Sequence, residues 1–294
     1  AYEISLGLVG SEMCIRDRLK PYVFVEISRI IARKKAEGVE VVSFGIGDPD
    51  IPTPPPIVDR LIEASRNADN HRYPETDGLP ALRQAIAKWY ETRFNVGHLH
   101  PDHEILRLIA AYEGIGHLAF CFLDPGDVAL IPDPGYPVYE VGTMFAGAES
   151  YSMPLLEENG WLPDLAAIPV AVAEKAKVMW LNYPNNPTGA ILKREHFDEL
   201  INICRQSGLY LFSDEVYRLM EHDIRLRLPQ VGDIYERGLS LNVMSKAYGL
   251  PGLRLGWIMC KDENILQNME RYKHYLSICN SCLLYTSPSP RDRG

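Results

Sequence analysis

The sequence predicts an α/β fold in which one sheet carries helices on both faces. Short apolar runs rich in β-branched residues alternate with amphipathic helical segments along most of the chain. In addition, 46% of the 294 residues are hydrophobic, which is enough to build one large α/β domain and a smaller one. Ligand sites in such sheets collect at loops beyond the strand ends, so we expect the chemistry there.

The first third of the chain is predicted to be mainly helical. An amphipathic helix spans 22–37, and a short β-rich run follows at 39–44. Prolines crowd 51–56, which predicts an extended linker and not a strand. Two further helices are predicted at 57–66 and 80–94.

Strands and helices alternate in the remainder of the chain, which favours a layered sheet. The predicted helices are 112–122, 137–146, 164–173, 194–206 and one that starts at Asp262. The predicted strands are 128–131, 149–153, 177–181, 209–212, 239–243 and 255–259.

Composition argues against several classes of protein. The formal net charge is −9 and no basic cluster occurs, so we expect no nucleic-acid partner. No apolar run reaches membrane-spanning length, so we expect no membrane association. Six irregularly spaced cysteines favour a reducing compartment, the cytoplasm. The lone Cys279/Cys282 pair has no second pair, so we expect no metal site.

The two ends look foreign to the rest of the sequence. Residues 8–17 resemble a translated transposon end of the kind used in sequencing libraries, and 282–292 resemble its reverse complement. A secretory leader fits 1–18 poorly, because no basic segment precedes an apolar one. We therefore expect 1–18 and 282–294 to be adapter-derived, and 19–281 to be a natural fragment truncated at its C-terminus.

A polar loop follows the strand predicted at 177–181. It reads Asn-Tyr-Pro-Asn-Asn-Pro-Thr-Gly over 182–189. Its prolines and glycine fix a turn that lets Asn186 present its amide to a ligand oxygen. The alternative is an ordinary polar turn.

A second loop, Ser-Asp-Glu-Val-Tyr at 213–217, follows the next strand. Asp214 would end a buried strand, where a carboxylate requires a cationic or hydrogen-bonding partner. A protonated ring nitrogen would serve, and Tyr217 could donate to a phenolic oxygen. The alternative for Asp214 is a helix cap or a salt bridge.

Two more loops have weaker signals. Ala-Ala-Tyr-Glu-Gly at 110–114 opens a helix, so the amides of Ala111 and Tyr112 could bind a phosphate. Asp-Pro-Gly-Tyr at 133–136 could hold Tyr136 as a stacking platform, although an aromatic residue there is more often part of the core.

Lys246 lies in Ser-Lys-Ala-Tyr-Gly-Leu-Pro-Gly-Leu-Arg at 245–254. A lysine held by a turn rich in glycine and proline can form a Schiff base with an aldehyde cofactor. Arg254 is a candidate for binding an anion. By itself the lysine would more often be an ordinary solvated side chain.

Taken in order, the motifs at 185–189, 213–217 and 245–254 resemble those of class I/II aminotransferases with the aspartate aminotransferase fold, fold type I. The resemblance extends over nearly all of 20–281. It implies a three-layer α/β/α large domain with a mixed, mostly parallel sheet at 55–281. It also implies that 19–54 belongs to an incomplete small α+β domain.

The resemblance implies that pyridoxal 5′-phosphate is the cofactor and that the intact protein is a homodimer. Lys246 would form the Schiff base, Asp214 would pair with the ring nitrogen, and Tyr136 would stack on the ring. Asn186 and Tyr217 would bind the phenolic oxygen of the cofactor, and Ala111, Tyr112 and Arg254 would bind its phosphate. Tyr73 would reach the cofactor phosphate of the neighbouring subunit. Gly47 and Asn186 would contact the substrate carboxylate.

The sequence departs from the family pattern in two places. Val243 replaces a hydroxyl residue before the lysine, so we expect Ser245 to supply the hydroxyl. Ala-Ala-Tyr replaces the usual Gly-Ser-Lys at 110–112, which leaves only backbone amides for the phosphate. The family's substrate-carboxylate arginine would lie beyond Ser281.

The implied reaction moves an amino group from an amino acid to a 2-oxo acid, with Lys246 as the general base. Two alternatives stay open. A lyase or cyclase could use the same cofactor residues. A ligand-sensing regulator could carry such a domain, although 19–70 contains no basic DNA-binding module.

Overall fold

We describe the fold from a computed structural model that covers residues 19, 21–45 and 47–281. The expected adapter-derived segments, 1–18 and 282–294, lie outside the described residues. The chain divides into two units, Ala1–Asp48 and Pro49–Gly294. The predicted division at 54/55 into a small and a large domain remains a prediction.

The smaller unit contains one described helix, and the larger unit contains the sheet and the remaining helices. The helices are α1 (Val23–Ala36), α2 (Pro55–Arg66), α3 (Pro80–Phe94), α4 (Ala110–Phe122), α5 (Val138–Phe145), α6 (Val170–Ala173), α7 (Arg194–Ser207), α8 (Val231–Ile234) and α9 (Glu263–Leu276). The strands are β1 (Ile105–Ile109), β2 (Val128–Asp133), β3 (Glu149–Pro154), β4 (Ala176–Leu181), β5 (Tyr210–Asp214), β6 (Gly238–Val243) and β7 (Leu255–Met259).

The seven strands form one mixed sheet in the order β1-β7-β6-β5-β4-β2-β3. Strands β3, β2, β4, β5 and β6 run parallel to one another. Strand β7 is antiparallel to both of its neighbours, β6 and β1. This mixed, mostly parallel sheet confirms the predicted fold class.

Alternate residues of the central strands supply two separate cores. In β4, Val178 and Trp180 face one core, whereas Met179 and Leu181 face the other. Helices α4 and α9 cover the first face, and α7 and α8 cover the second. The period-two alternation of a strand buried on both faces therefore accounts for the three layers.

A third cluster anchors α3 to the antiparallel end of the sheet. The Trp89 ring of α3 meets Trp257 of β7 edge to face, with ring centroids 5.2 Å apart. Helix α3 ends at Asn95, whose left-handed backbone (φ 58°) lets the N–H groups of Asn95 and Val96 bond back to the carbonyls of Glu91 and Tyr90, respectively. Its start at Pro80 follows the usual preference for proline in the first helical turn.

Most predicted elements occur within two residues of their expected bounds, with three exceptions. Strand β1 was not predicted, because its apolar run is interrupted by Arg107. The helix predicted at 164–173 is only a short turn and the four-residue α6, since Pro169 forces Ile168 into an extended conformation. The β-rich run at 39–44 forms no described strand.

Close backbone packing at Gly238 generates a first prediction. A Cβ added there would lie 2.4 Å from the Val231 carbonyl oxygen, so Gly238→Ala forces the α8–β6 contact apart. We expect a loss of about 1–3 kcal/mol in the free energy of unfolding, measured by urea denaturation. Gly97→Ala is the control, because no atom lies within 4 Å of its added Cβ. Equal losses in both variants would contradict the packing account.

Candidate active site

The predicted polar loops meet at one edge of the sheet. Because β4, β5 and β6 are parallel, their carboxyl ends share that edge, and antiparallel β7 begins there. Asp214 ends β5, Lys246 follows β6, and Arg254 directly precedes β7. The topology therefore brings together side chains that lie far apart in sequence.

Direct hydrogen bonds fasten the loop after β4 to the end of β5. Asn182 Nδ2 donates to the main-chain oxygen of Asp214 at 2.9 Å. Asn182 Oδ1 accepts from the main-chain N–H of Asn186 at 2.8 Å. Within the turn, the Thr188 hydroxyl donates to Asn185 Oδ1 at 2.7 Å. Asn186 is thus held at a fixed place on this edge, and its predicted contact with a ligand oxygen remains a prediction.

Asp214 is a deeply buried carboxylate, with only 3% of its surface exposed. It accepts hydrogen bonds from the Tyr139 hydroxyl at 2.6 Å and from the Val216 N–H at 3.4 Å. Both donors are uncharged, so they compensate burial only in part. Burial raises the pKa of Asp214 to about 6, although the Tyr139 hydrogen bond opposes the shift.

Aromatic rings line the space next to Asp214. Tyr136 is half-buried and packs edge to face against Tyr139 and Tyr112, at 6.0 and 5.8 Å between centroids. Tyr139 in turn stacks on Trp180 of the core at 4.8 Å. Tyr136 therefore contacts the core, and its predicted role as a stacking platform remains a prediction.

Lys246 is half-buried in the turn between β6 and β7. The turn closes through the Gly249 N–H to the Lys246 carbonyl and the Leu250 N–H to the Met244 carbonyl, at 3.0 and 3.1 Å. Lys246 Nζ lies 6.0 Å from the centroid of the Tyr217 ring. The amine and the tyrosine that the sequence singled out are neighbours.

The start of α4 lies against β7 on the same edge. Ala110 is buried and has a left-handed backbone, with φ 59°. A Cβ on Gly256 would come within 3.1 Å of the Ala110 carbonyl carbon, so only glycine allows this close approach. Arg254 is also left-handed, with φ 52°, and its exposed guanidinium donates to the Pro251 carbonyl at 2.9 Å.

A second buried acid lies directly beside Asp214. Glu215 is 2% exposed and pairs with the Arg218 guanidinium at 2.8 Å. The Ser240 hydroxyl also donates to the Glu215 carboxylate, at 2.7 Å. Because Arg218 follows β5 and Ser240 belongs to β6, the contacts of Glu215 join the loop after β5 to β6.

Some predicted site residues are not placed with this group. Tyr73 lies in the loop before α3 and is 88% exposed. Gly47 belongs to the smaller unit, so its predicted role remains a prediction. Ser245 is buried next to Lys246 in the chain.

Sequence analysis missed two residues that contact Asp214. Tyr139 supplies its hydroxyl bond, and Asn182 binds its main chain. Tyr139 lies in the first turn of α5, three positions after Tyr136, and the two rings are in contact. Its partner Asp214 lies 75 positions away in the sequence, so no local signal identifies its role.

Other kinds of site find no support in the described ranges. Among the described residues, no helix is long and apolar enough to cross a membrane. In the same part of the chain, no group of three or more His, Cys, Asp or Glu residues is placed to hold a metal ion.

Comparison with known proteins identifies the relatives of the chain. A family model described as "Aminotransferase class I and II" matches residues 39–287. LL-diaminopimelate aminotransferase of Moorella thermoacetica is 45% identical over 258 residues, covering 87% of this chain and 65% of that protein. The protein of the same name from Dehalococcoides mccartyi is 47% identical over 262 residues, covering 88% and 67%. The chain thus spans about two thirds of the length of these curated relatives.

Solved structures give the same picture. BacF from Bacillus subtilis superposes with a TM-score of 0.84 at 34% identity, covering 92% of this chain and 68% of BacF. A probable N-succinyldiaminopimelate aminotransferase from Thermus thermophilus superposes with a TM-score of 0.83 at 33% identity, covering 90% of this chain and 72% of that protein. Aspartate aminotransferase of Thermus thermophilus superposes with a TM-score of 0.86 and covers 94% of this chain and 71% of its own. At 24% identity, this likeness supports the fold alone.

The buried carboxylate generates a second prediction. Because the pKa of Asp214 is raised above its unfolded value of 3.8, its charge destabilises the fold as pH rises through about 6. Asparagine stays neutral. Relative to the unsubstituted chain, Asp214→Asn should therefore gain about 1 kcal/mol in free energy of unfolding between pH 5 and pH 8. Urea denaturation of protein dialysed free of small molecules measures this gain.

Tyr139→Phe provides the matched variant. It removes the hydroxyl that favours the charged carboxylate, so the pKa of Asp214 in the folded protein should rise further, and the loss of stability with pH should extend to higher pH and become larger. A gain from Asp214→Asn that shrinks as pH rises would contradict the assigned burial effect.

Proposed function

The chain belongs to the class I and II aminotransferase family, and from this premise we propose that the whole protein transfers an amino group from an amino acid to a 2-oxo acid. We propose pyridoxal 5′-phosphate as its cofactor. The observation that carries the proposal is the meeting of Lys246, Asp214, Tyr217 and Asn186 at one sheet edge.

The residues at this edge fit the proposed cofactor. When bound, pyridoxal phosphate supplies an aldehyde that captures an amine and a ring that withdraws electrons from the substrate α-carbon. The chain offers an amine at Lys246, an aromatic face at Tyr136 and a buried carboxylate at Asp214. These are the groups such a ring and aldehyde require.

Asp214 would hold the ring nitrogen in its protonated form. Its present donors are uncharged, and its pKa is raised to about 6 by burial. A cationic ring nitrogen would favour the carboxylate, because opposite charges at close range stabilise each other in a buried site. The bond from Tyr139 would keep the carboxylate oriented towards the ring.

Lys246 would serve as both anchor and base. Its amine would hold the cofactor before the substrate arrives and would then take the proton from the substrate α-carbon. Tyr217, close to the Lys246 amine, and Asn186 would donate hydrogen bonds to the phenolic oxygen. The Asn182 bonds support this assignment, because they fix Asn186 relative to Asp214.

We assign the phosphate to the start of α4 and to β7. The amides of Ala111 and Tyr112 carry the positive end of the helix dipole, and Arg254 and Ser245 add a cation and a hydroxyl. In a homodimer, the exposed Tyr73 would reach the phosphate of the neighbouring subunit. Asn186 would contact the substrate carboxylate.

Relatives suggest the substrate to test first. Two curated relatives named LL-diaminopimelate aminotransferase are 45% and 47% identical to this chain. A structural relative is titled a probable N-succinyldiaminopimelate aminotransferase. We therefore propose LL-diaminopimelate as the amino donor, with a 2-oxo acid as acceptor.

Attachment of the cofactor to Lys246 is the third prediction. The protein is mixed with stoichiometric pyridoxal phosphate, reduced with borohydride and digested. Peptide mass spectrometry should find the adduct on Lys246, because its amine is the one held at the site. Lys261→Arg, at a surface ion pair with Asp233, is the control and should leave the adduct in place. An adduct distributed over many lysines and unaffected by Lys246→Ala would refute the assignment.

The reaction type gives the fourth prediction. With an amino acid alone, an aminotransferase retains the amino group on the cofactor and releases a 2-oxo acid, whereas a lyase releases ammonia as well. We expect 2-oxo acid without ammonia, and the highest rate with LL-diaminopimelate among a panel of amino acids. Ammonia in equal amount would establish elimination instead. Lys246→Ala should abolish release of the 2-oxo acid, and of ammonia if elimination occurs.

A further inference from the structure

A buried ion pair lies beneath the first turn of α4. Glu113 and Lys273 are 6% and 4% exposed, and Lys273 Nζ lies 2.7 and 2.9 Å from the two carboxylate oxygens. Lys273 belongs to α9, which packs across this face of the sheet. The Ser277 hydroxyl also hydrogen-bonds to Glu113, and Lys273 Nζ lies 3.0 Å from that hydroxyl.

The carboxylate connects this pair to the turn at the proposed phosphate site. Glu113 Oε2 accepts from the main-chain N–H of Ile109 at 2.6 Å. An acidic side chain that reaches back in this way fixes how the chain enters its helix. Ile109 directly precedes Ala110, whose left-handed backbone starts α4. Lys273 therefore acts on the turn through Glu113, without contacting it.

Charge balance gives this contact a second consequence. An unpaired carboxylate in the first turn of α4 would repel a phosphate bound at the same helix start. Lys273 neutralises it from the opposite side. Burial lowers the pKa of Lys273, whereas the adjacent Glu113 raises it. A second pair nearby, Arg107 and Glu270 at 2.7 Å, is likewise neutral.

We propose that Lys273 and Glu113 are positioning residues for the cofactor phosphate: they hold the Ile109–Ala110 turn and cancel the acid beneath it. This inference rests on the proposed function, in which the amides of Ala111 and Tyr112 bind the cofactor phosphate. Neither residue is assigned a catalytic role, since their hydrogen bonds join them to each other, to Ile109 and to Ser277.

The test compares pyridoxal phosphate with pyridoxal, which has the same ring and aldehyde but no phosphate. Dissociation constants for both are measured by equilibrium dialysis. In Lys273→Met, affinity for pyridoxal phosphate should fall about tenfold while that for pyridoxal stays constant, because only the phosphate contacts are disturbed. The double variant Glu113→Gln/Lys273→Met removes both charges and should recover most of the lost preference.

Met269→Ala is the matched control for general damage to α9. Met269 is a buried core residue of that helix and carries no charge. This variant should lose stability but keep the ratio of the two dissociation constants. If Lys273→Met fails to fold, Ser277→Ala is measured in its place, since it removes one hydrogen bond to Glu113. The preference for pyridoxal phosphate, defined as the dissociation constant of pyridoxal divided by that of pyridoxal phosphate, should then fall by about twofold.

The outcomes separate this inference from the proposed function. If the unsubstituted chain binds neither compound, the proposed cofactor is wrong and this inference falls with it. The positioning role is wrong, while the proposed function stands, if the unsubstituted chain prefers pyridoxal phosphate and Lys273→Met keeps the same preference for it over pyridoxal. The same conclusion holds if Lys273→Met lowers the affinity for both compounds equally.

Discussion

The burial of Asp214 is the constraint on which the rest of the site depends. A carboxylate that is 3% exposed is costly in a folded protein unless neighbouring groups compensate it. Here Tyr139 donates to one oxygen, and Asn182 fixes the main chain on which the carboxylate sits. Each of these contacts requires another loop to be in place. The acid therefore sets the arrangement of the loops after β4 and β5 and of helix α5.

Glu215, the next residue in the chain, shows what full compensation looks like in the same surroundings. It has a guanidinium at 2.8 Å and a serine hydroxyl at 2.7 Å. Asp214 has only uncharged donors, and its pKa is raised accordingly. The two adjacent buried acids thus differ in their partners: Glu215 pairs with a guanidinium and joins parts of the scaffold, whereas Asp214 accepts hydrogen bonds from the uncharged Tyr139 and Val216 groups.

The site could be predicted from the sequence to the extent that its residues lie in motifs. Lys246, Asp214 and Asn186 are each preceded by an apolar strand and fixed by local turn residues, so pattern and position agreed. Tyr139 was missed because its role depends on a contact across 75 positions of sequence. The Lys273–Glu113 pair spans 160 positions and has no local signal at all.

The same physical reason accounts for the errors in the fold. Strand β1 contains Arg107, a charge that normally indicates exposure, yet this side chain is 2% exposed. It is compensated by Glu270 and by the carbonyl of Thr76, at 2.7 and 3.0 Å. Such partners become visible only once the chain has folded. At 39–44, β-propensity alone was insufficient, because a strand requires a neighbour for its hydrogen bonds.

The antiparallel pairing of β6 with β7 has a consequence for how the site assembles. The connection between these strands comprises residues 244–254, and it carries both Lys246 and Arg254. Closing this loop costs less conformational entropy than bringing together Asp214 and Tyr139, which lie 75 positions apart in the sequence. The amine and the guanidinium are therefore placed relative to each other by one connection between neighbouring strands. The carboxylate is placed by contacts of much longer sequence separation, so the two halves of the site depend on contacts of different range.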